Sequence, residues 1–433
     1  MRIGLVSLHT SPLETPGEGD AGGLNVVVRE AALALEALGH EVTIATRASL
    51  RQPAGTFPLS GDSRVTVVAL EVGDPDLEKE ALPAHTREFG RALTAHPLLA
   101  KVDVLHAHYW LSGIAALEAG HAPVVTTLHT VGAQKNAHRA AADAPEPDAR
   151  LNAERRLVAE TALVAGSKSE LTAITEAYGS PGGAPITSRI IHPGVDTRLF
   201  APESQTPPEP HQQPGQGAGT VAAATRDTDT EPRPRGEAAR GAAFLVIGRV
   251  QPLKGQDLAV EAFIAFTQLA PGLAQGARLT IAGQATPGQE SFLAALQERA
   301  SVAGLDIQFL PAQSREGAAR LMRESTVTLI PSHSETFGLV ALESAASGTP
   351  VIAAHTTGLV ESVREGVSGV LVSGRDALHW AQAMAHTVHD TAALDALGRS
   401  ARAYAQRHDW HAHAQSLEAY FTEIVSVQRK RNV

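Results

Sequence analysis

The chain reads as an α/β protein built of two Rossmann-like, doubly wound domains that face each other across a cleft. Three observations predict this. Short apolar runs alternate with helical stretches through residues 1–200. A segment of different composition, 201–241, then interrupts the pattern. The same alternation restarts at 242 and continues to 412. Alternating strands and helices form a parallel sheet covered on both faces, and ligands of such sheets bind outside the strand carboxyl ends.

In the first half, apolar runs predict strands over 2–8, 42–46, 65–70, 104–106 and 124–128. Helical spacing predicts a helix over 25–38, and Gly39 is positioned to end it. Residues 201–241 hold seven of the 26 prolines, several Gln and Gly, and Val221 as their only large aliphatic. Such a stretch cannot bury enough apolar surface to offset its ordering entropy, so it reads as a disordered linker or insert. Beyond it, strands are predicted over 243–247, 278–281, 327–330 and 351–354, with helices starting at Gln256, Gln289, Gly317, Gly338 and Asp376. The final helix, about 413–433 and amphipathic over 413–427, is expected to pack back on the first domain.

Composition narrows the function. The net charge of −10 argues against a nucleic-acid binder, which would carry a basic stripe. With no cysteine, disulfides, thiolate metal sites and thiol nucleophiles are excluded. The N-terminus MRIGLVSLHT turns polar after five mostly apolar residues, so it reads as a first strand rather than a signal peptide. No apolar run is long enough to span a membrane, and a cytoplasmic location without stable membrane insertion is expected.

One motif points elsewhere. Gly17-Glu18-Gly19-Asp20-Ala21-Gly22 fits the dinucleotide fingerprint of an NAD(P)-dependent oxidoreductase. That fingerprint follows its strand immediately, and an acid ends the second strand to hold the ribose. Here Gly17 comes nine residues after Leu8, and Thr46-Arg47 stands where the acid belongs. Gly22-Gly23, where the next helix begins, suits a phosphate instead, because bare N–H groups at a helix start bind anions. Gly23 is therefore a candidate diphosphate contact.

Residues in the second half carry the chemistry. Arg249 ends a strand and Lys254 follows five residues on. Two cations beside glycine suit a diphosphate and stabilise the charge that develops as it leaves. Glu335 falls in a loop after another strand, and Glu343 lies eight residues later on the next helix. Carboxylates accept from sugar hydroxyls, so one suits a donor sugar and the other a ribose.

The Arg249/Lys254 pair, the Glu335–x7–Glu343 element and SGTPVIAA resemble retaining glycosyltransferases of the GT-B fold, which include the sucrose-phosphate synthases. SLHTSPLETPGEGDAGGLNV (7–26), LEKEALP (77–83), HAHYWLSG (106–113) and TLHT (127–130) narrow the resemblance to the D-inositol-3-phosphate glycosyltransferases, which begin mycothiol synthesis in actinobacteria. It spans the chain apart from 201–241. It implies transfer of N-acetylglucosamine from UDP-N-acetylglucosamine to 1D-myo-inositol 3-phosphate.

The resemblance also implies roles. Lys79, Tyr109, Thr130 and Arg150 would hold the acceptor phosphate, and His9 and Asn25 the inositol hydroxyls. Gly23, Arg249 and Lys254 would meet the donor diphosphate, Glu335 the donor sugar and Glu343 the ribose. His129 would line the reaction centre. No cofactor is required, although the family is credited with magnesium near Met322, Arg323, Ser325 and Thr349. The resemblance also allows a homodimer.

The chain departs from the family pattern in three places. Gln313 stands where an arginine is usual after the FLDP-like strand end, Thr357 replaces the first glycine of Gly-Gly-Leu, and Ser334 replaces an asparagine. A phosphorylated acceptor other than inositol phosphate is the nearest alternative. A lipid-linked acceptor would call for a basic membrane-facing patch, and 75–101 balances four acidic with four basic residues.

Overall fold

The computed structural model describes residues 1–14, 21–137, 145–179, 185–202 and 241–431. Gly17 and Gly19 of the fingerprint, and 203–240 of the proline-rich segment, lie outside the described residues.

The first domain opens with β1 (Arg2–Val6), α1 (Gly23–Ala37), β2 (Glu41–Arg47), β3 (Gly55–Pro58) and β4 (Thr66–Leu70). A 3-10 helix, Lys79–His85, leads into α2 (Thr86–Ala95), β5 (Val104–His108), α3 (Trp110–Ala119) and β6 (Val124–Thr127). Then come α4 (Gly132–Ala137), α5 (Asp148–Glu160), β7 (Ala162–Ala165), α6 (Lys168–Tyr178) and β8 (Ser188–Ile190). The strand order is β3-β4-β2-β1-β5-β6-β7-β8, and only β3 is antiparallel to its neighbour. The strands β3, β7 and β8 escape the periodicity because runs of four, four and three residues are too short to show it.

The second domain holds β9 (Ala243–Ile247), α7 (Gln256–Leu269), β10 (Arg278–Ala282), α8 (Glu290–Ala303), β11 (Ile307–Leu310) and α9 (Arg315–Glu324). It continues with β12 (Val327–Ile330), α10 (Leu339–Ala346), β13 (Val351–Ala354), α11 (Leu359–Ser362) and β14 (Gly369–Val372). Helices α12 (Ala377–Val388), α13 (Thr391–Ala405) and α14 (Trp410–Arg431) end the chain. Its parallel order, β11-β10-β9-β12-β13-β14, is the doubly wound 3-2-1-4-5-6 arrangement. Each sheet therefore has a switch point, between β1 and β5 in the first and between β9 and β12 in the second.

Local chemistry explains the element ends. Helix α1 begins at Gly23 rather than Asn25, because the Asn25 side chain accepts the Gly22 N–H at 3.0 Å and caps the turn. Gly39, at φ +89°, closes that helix in a conformation that favours glycine. Ser314 and Asp376 cap α9 and α12 with their side-chain oxygens.

The domains exchange segments. Trp410, Ala414, Leu417 and Phe421 of α14 join Ile3, Leu5, Val26 and Leu35 in the first core. In return, Val195 and Phe200 join Leu245, Met322 and Phe337 in a second-domain cluster. The two crossings run side by side through the Val195–Asp409 bridge. A Cβ on Gly194 would sit 2.5 Å from the Trp410 nitrogen, so only glycine fits where the two backbones pass.

Candidate active site

Both switch points supply the site. At the end of β5, Tyr109 adopts φ +78°, ψ 156°, a region that is essentially glycine's. Its N–H donates to the Thr127 carbonyl at 2.8 Å, which holds this conformation. At the end of β6, His129 sits at φ +62°. Strained backbone thus marks both strand ends that face the second domain.

Lys79, Tyr109, Thr130 and Arg150 come together here. The Lys79 ammonium lies 5.3 Å and the Arg150 guanidinium carbon 5.0 Å from the Tyr109 ring centroid. Arg150 donates from Nη1 to the Tyr109 hydroxyl at 3.2 Å, and from Nη2 to Thr130 Oγ1 at 2.8 Å and its carbonyl at 2.9 Å. Arg155 and Arg156 turn away, to Asn152 and to Glu118 and Glu160. His9 lies against Tyr109 with ring centroids 4.5 Å apart and the rings tilted by 38°. Asn25 spends its amide on the protein, donating to Thr10 Oγ1 and the Ser11 carbonyl, both at 2.7 Å, so it shapes the loop after β1.

Two carboxylates absent from the sequence reading support Arg150. Glu154, fully buried, accepts from Arg150 Nε at 2.6 Å, Gly132 N–H at 2.9 Å and the Tyr178 hydroxyl at 2.6 Å. Glu146 accepts from Arg150 Nη1 at 2.9 Å and pairs with Lys135. Burial opposes the Arg150 charge, yet Tyr109, Glu154 and Glu146 outweigh it and lock the proton on. The i, i+4 spacing of Glu146, Arg150 and Glu154 is the signal that could have revealed them.

His129 is held from both sides. Its Nε2 lies 2.9 Å from His108 Nδ1, and its carbonyl accepts from the Thr336 hydroxyl of the second domain. Burial depresses its pKa to about 3, with a smaller push from His413, so the ring is neutral. His106 is likewise held near 3 by burial, and its Nε2 meets Thr127 Oγ1 at 2.9 Å. Beneath them, the buried Glu170 accepts the Gly166 N–H at 2.6 Å, and burial raises its carboxyl to about 7.

Across the cleft, Lys254 Nζ donates to Glu335 Oε1 at 2.6 Å, and the Ser332 hydroxyl donates to the same oxygen at 2.8 Å. The Glu335 N–H donates to Thr357 Oγ1 at 2.9 Å, and Thr357 holds φ +34°, a value that suits the glycine it replaces. A Cβ on Gly22 would lie 3.9 Å from the Arg249 guanidinium, and one on Gly23 3.5 Å from Leu339. The start of α1 therefore faces the Arg249 guanidinium just after β9. Glu343 stands apart from Lys254 and Glu335 in its bonding. It pairs with Arg315 at 3.4 Å, and Arg315 also reaches Glu30 of α1 at 3.8 Å. Further contacts join the domains: Ser167 donates to the Thr336 carbonyl at 2.6 Å, and Glu361 accepts the Lys168 and Ser169 N–H groups at 2.8 and 3.0 Å.

The residues named for magnesium lie elsewhere. Met322, Arg323 and Ser325 precede β12 and Thr349 precedes β13, so they sit at the opposite ends of those strands from Glu335. Thr349 donates its hydroxyl to the Met322 carbonyl at 2.6 Å, and Arg323 donates to the Leu199 carbonyl at 3.3 Å. Magnesium takes an octahedron of oxygens that usually includes a carboxylate. The Thr349 hydroxyl and the Met322 carbonyl are bonded to each other, and no step is routed through a metal here. Among the described residues, no three His, Asp or Glu side chains converge as metal ligands. Among them, too, no helix is long and apolar enough to cross a membrane.

Comparison with known proteins agrees with this arrangement. Residues 21–199 match Glycosyltransferase Family 4 and residues 227–404 match Glycosyl transferases group 1. The chain is 35% identical to a D-inositol 3-phosphate glycosyltransferase of Acidothermus cellulolyticus, over 99% of this chain and 91% of that one. It is 37% identical to that of Kribbella flavida, over 97% of this chain and 95% of that one. Among solved structures, a sucrose-phosphate synthase from Thermosynechococcus elongatus superposes with a TM-score of 0.79 at 24% identity, covering 98% of this chain and 99% of that one. Anabaena HepE, in complex with UDP and glucose, superposes at 0.66 with 19% identity, covering 98% and 99%. With two doubly wound domains meeting at their switch points, the chain is a GT-B glycosyltransferase and belongs to the D-inositol 3-phosphate glycosyltransferase family.

Proposed function

We propose that the protein transfers N-acetylglucosamine from UDP-N-acetylglucosamine to 1D-myo-inositol 3-phosphate with retention, the first step of mycothiol synthesis, in the cytoplasm. The observation that carries this is the cluster of Lys79, Tyr109, Thr130 and Arg150 at the first switch point. Two cations and two hydroxyls around one place suit a phosphate dianion better than a neutral sugar. The relatives' name supplies the inositol phosphate. HepE, a fold neighbour, holds UDP and glucose, which is in keeping with a UDP-sugar donor.

In this reading Arg249, Lys254 and the N–H groups at the start of α1 stabilise the leaving diphosphate, Glu335 holds the donor sugar and Glu343 the ribose. The neutral His129 ring lines the reaction centre without adding a charge that would compete with the developing cationic sugar. The acceptor hydroxyl attacks on the face from which the phosphate departs, and that phosphate takes its proton. The protein supplies orientation and charge stabilisation, and no covalent sugar–enzyme intermediate forms.

Thr357 favours one second reading, in which the enzyme uses another nucleotide sugar. Its hydroxyl lies beside the Glu335 backbone where the family has bare glycine. Mass spectrometry of products from a panel of nucleotide sugars tests both readings. Proton NMR of the anomeric centre tests retention, and an inverted product would refute attack on the departing face.

A further inference from the structure

Arg150 has five N–H donors, and all five are used. Nε bonds Glu154, Nη1 bonds the Tyr109 hydroxyl and Glu146, and Nη2 bonds the Thr130 carbonyl and hydroxyl. A phosphate oxygen can reach this guanidinium only by replacing one of those acceptors. Glu154 is a poor candidate, since its side chain is 0% exposed and also anchors Gly132 and Tyr178. Tyr109 and Thr130 belong to the phosphate cluster themselves. Glu146 is the exchangeable partner. Its side chain is 17% exposed, and among the described residues its other oxygen pairs with Lys135, which is 49% exposed. The Glu146 N–H donates to Asn136 Oδ1 at 2.7 Å, so the backbone stays fixed while the side chain can turn out.

We propose that the Glu146 carboxylate is an internal stand-in for the acceptor phosphate: it fills the anion place between Lys135 and Arg150, the phosphate displaces it, and Lys135 then becomes a phosphate ligand. This rests on the reading of Lys79, Tyr109, Thr130 and Arg150 as a phosphate site. A carboxylate and a phosphate dianion cannot share the same guanidinium edge without like-charge repulsion. The dianion, with more charge and more acceptor oxygens, wins the exchange, whereas a neutral acceptor has nothing to offer Nη1 and Lys135 in return. The plug therefore keeps two cations from being left unpaired and favours phosphorylated over neutral acceptors.

The test is calorimetric titration with inorganic phosphate, in a Lys254→Ala background that removes a competing diphosphate cation. Glu146→Gln is expected to bind phosphate about tenfold more tightly than its parent. Glu146→Asp, too short to reach both cations, is expected to shift the same way by less. Adding Lys135→Met to Glu146→Gln is expected to cancel the gain. Unchanged or weaker binding by both Glu146 variants, each melting cooperatively, would overturn the proposal. The substrate reading is tested separately, by transfer to inositol phosphate with Lys254 intact. Tighter phosphate binding without any transfer would leave the plug standing and remove the acceptor. Transfer with unaltered phosphate affinity would do the reverse.

Discussion

Lys254 Nζ bonds Glu335 Oε1 at 2.6 Å, so the cation expected at the leaving diphosphate and the carboxylate expected at the donor sugar form one ion pair. The Ser332 hydroxyl fixes the same oxygen at 2.8 Å. The pair orients both groups toward the carboxyl ends of β9 and β12. Removing either member leaves the other without its partner, so their effects are not additive. Lys254→Ala is expected to lower kcat at least about 100-fold, the scale seen when one preorganised charge-stabilising donor is lost. Glu335→Gln and the double variant are expected to fall little further. Steady-state kinetics of the three proteins check this, and a double variant equal to the product of the two single losses would contradict it.

Gly23 separates packing from ligand approach. A Cβ there would lie 3.5 Å from Leu339, an ordinary contact, so the fold tolerates alanine. A methyl group at the first residue of α1 would, however, hold a phosphate away from the N–H groups. Gly23→Ala is expected to melt within a few degrees of the parent yet raise donor KM about tenfold or more. An unchanged KM would mean that the diphosphate does not approach α1.

Thr357 carries both strain and a useful bond. Its φ of +34° costs energy for any residue with a side chain, and its hydroxyl accepts the Glu335 N–H at 2.9 Å. Thr357→Ala loses the bond and keeps the strain, so it is expected to destabilise by about 1 kcal/mol. Thr357→Gly loses the bond but relieves the strain, and is expected to be more stable than the alanine variant by about 0.5–1 kcal/mol. Urea denaturation measures the difference, and a glycine variant less stable than the alanine variant would contradict this account.

Buried histidines and Glu170 set opposite pH dependences. His9, His106, His108, His129 and His413 are all depressed, chiefly by burial, with His106 and His129 near 3 and His413 near 4. Their folded values lie below the unfolded one, so the unfolded chain binds the extra protons as pH falls below about 6.5, and stability drops with acid. Glu170, raised to about 7 by burial, does the reverse: the folded chain keeps a proton that the unfolded chain releases above its ordinary value of 4.5. Its contribution weakens as pH rises from 4.5 through 7. Glu170→Gln is therefore expected to gain on the parent between pH 5 and 8, by up to about 1 kcal/mol per pH unit. Urea denaturation at four pH values checks this, and parallel stability curves would contradict it.

Much of this was legible in the sequence, for physical reasons that differ by region. Strands β1, β2, β5, β9, β12 and β13 are almost wholly buried and each carries an apolar stretch that stands out, and the site loops follow them directly. Lys254 and Glu335 could be named because each follows a strand visible in the sequence; that those strands flank the second switch point is seen only in the fold. Helix α5 was harder. Its buried face includes Arg150 and Glu154, so hydropathy could not show which arginine points inward. Glu170 was hidden differently. Ser167 caps α6 by accepting the Glu170 N–H at 3.0 Å, while the Glu170 carboxylate turns to Gly166 and the core, a placement that no apolar run or residue spacing marks. Contacts between domains, such as Thr336 with His129, have no local signature at all.

The central claim is transfer of a sugar from a nucleotide diphosphate to inositol phosphate through the Lys79, Tyr109, Thr130 and Arg150 cluster. The most direct test is UDP release from UDP-N-acetylglucosamine, with and without 1D-myo-inositol 3-phosphate, by the parent protein and by Lys79→Ala. The account predicts release that depends on the acceptor and falls at least about 100-fold in kcat/KM for the variant, the loss of one charge-assisted contact to a phosphate. Acceptor-dependent release that Lys79→Ala retains in full would contradict the phosphate site. No release above background from the folded parent would contradict this donor and acceptor.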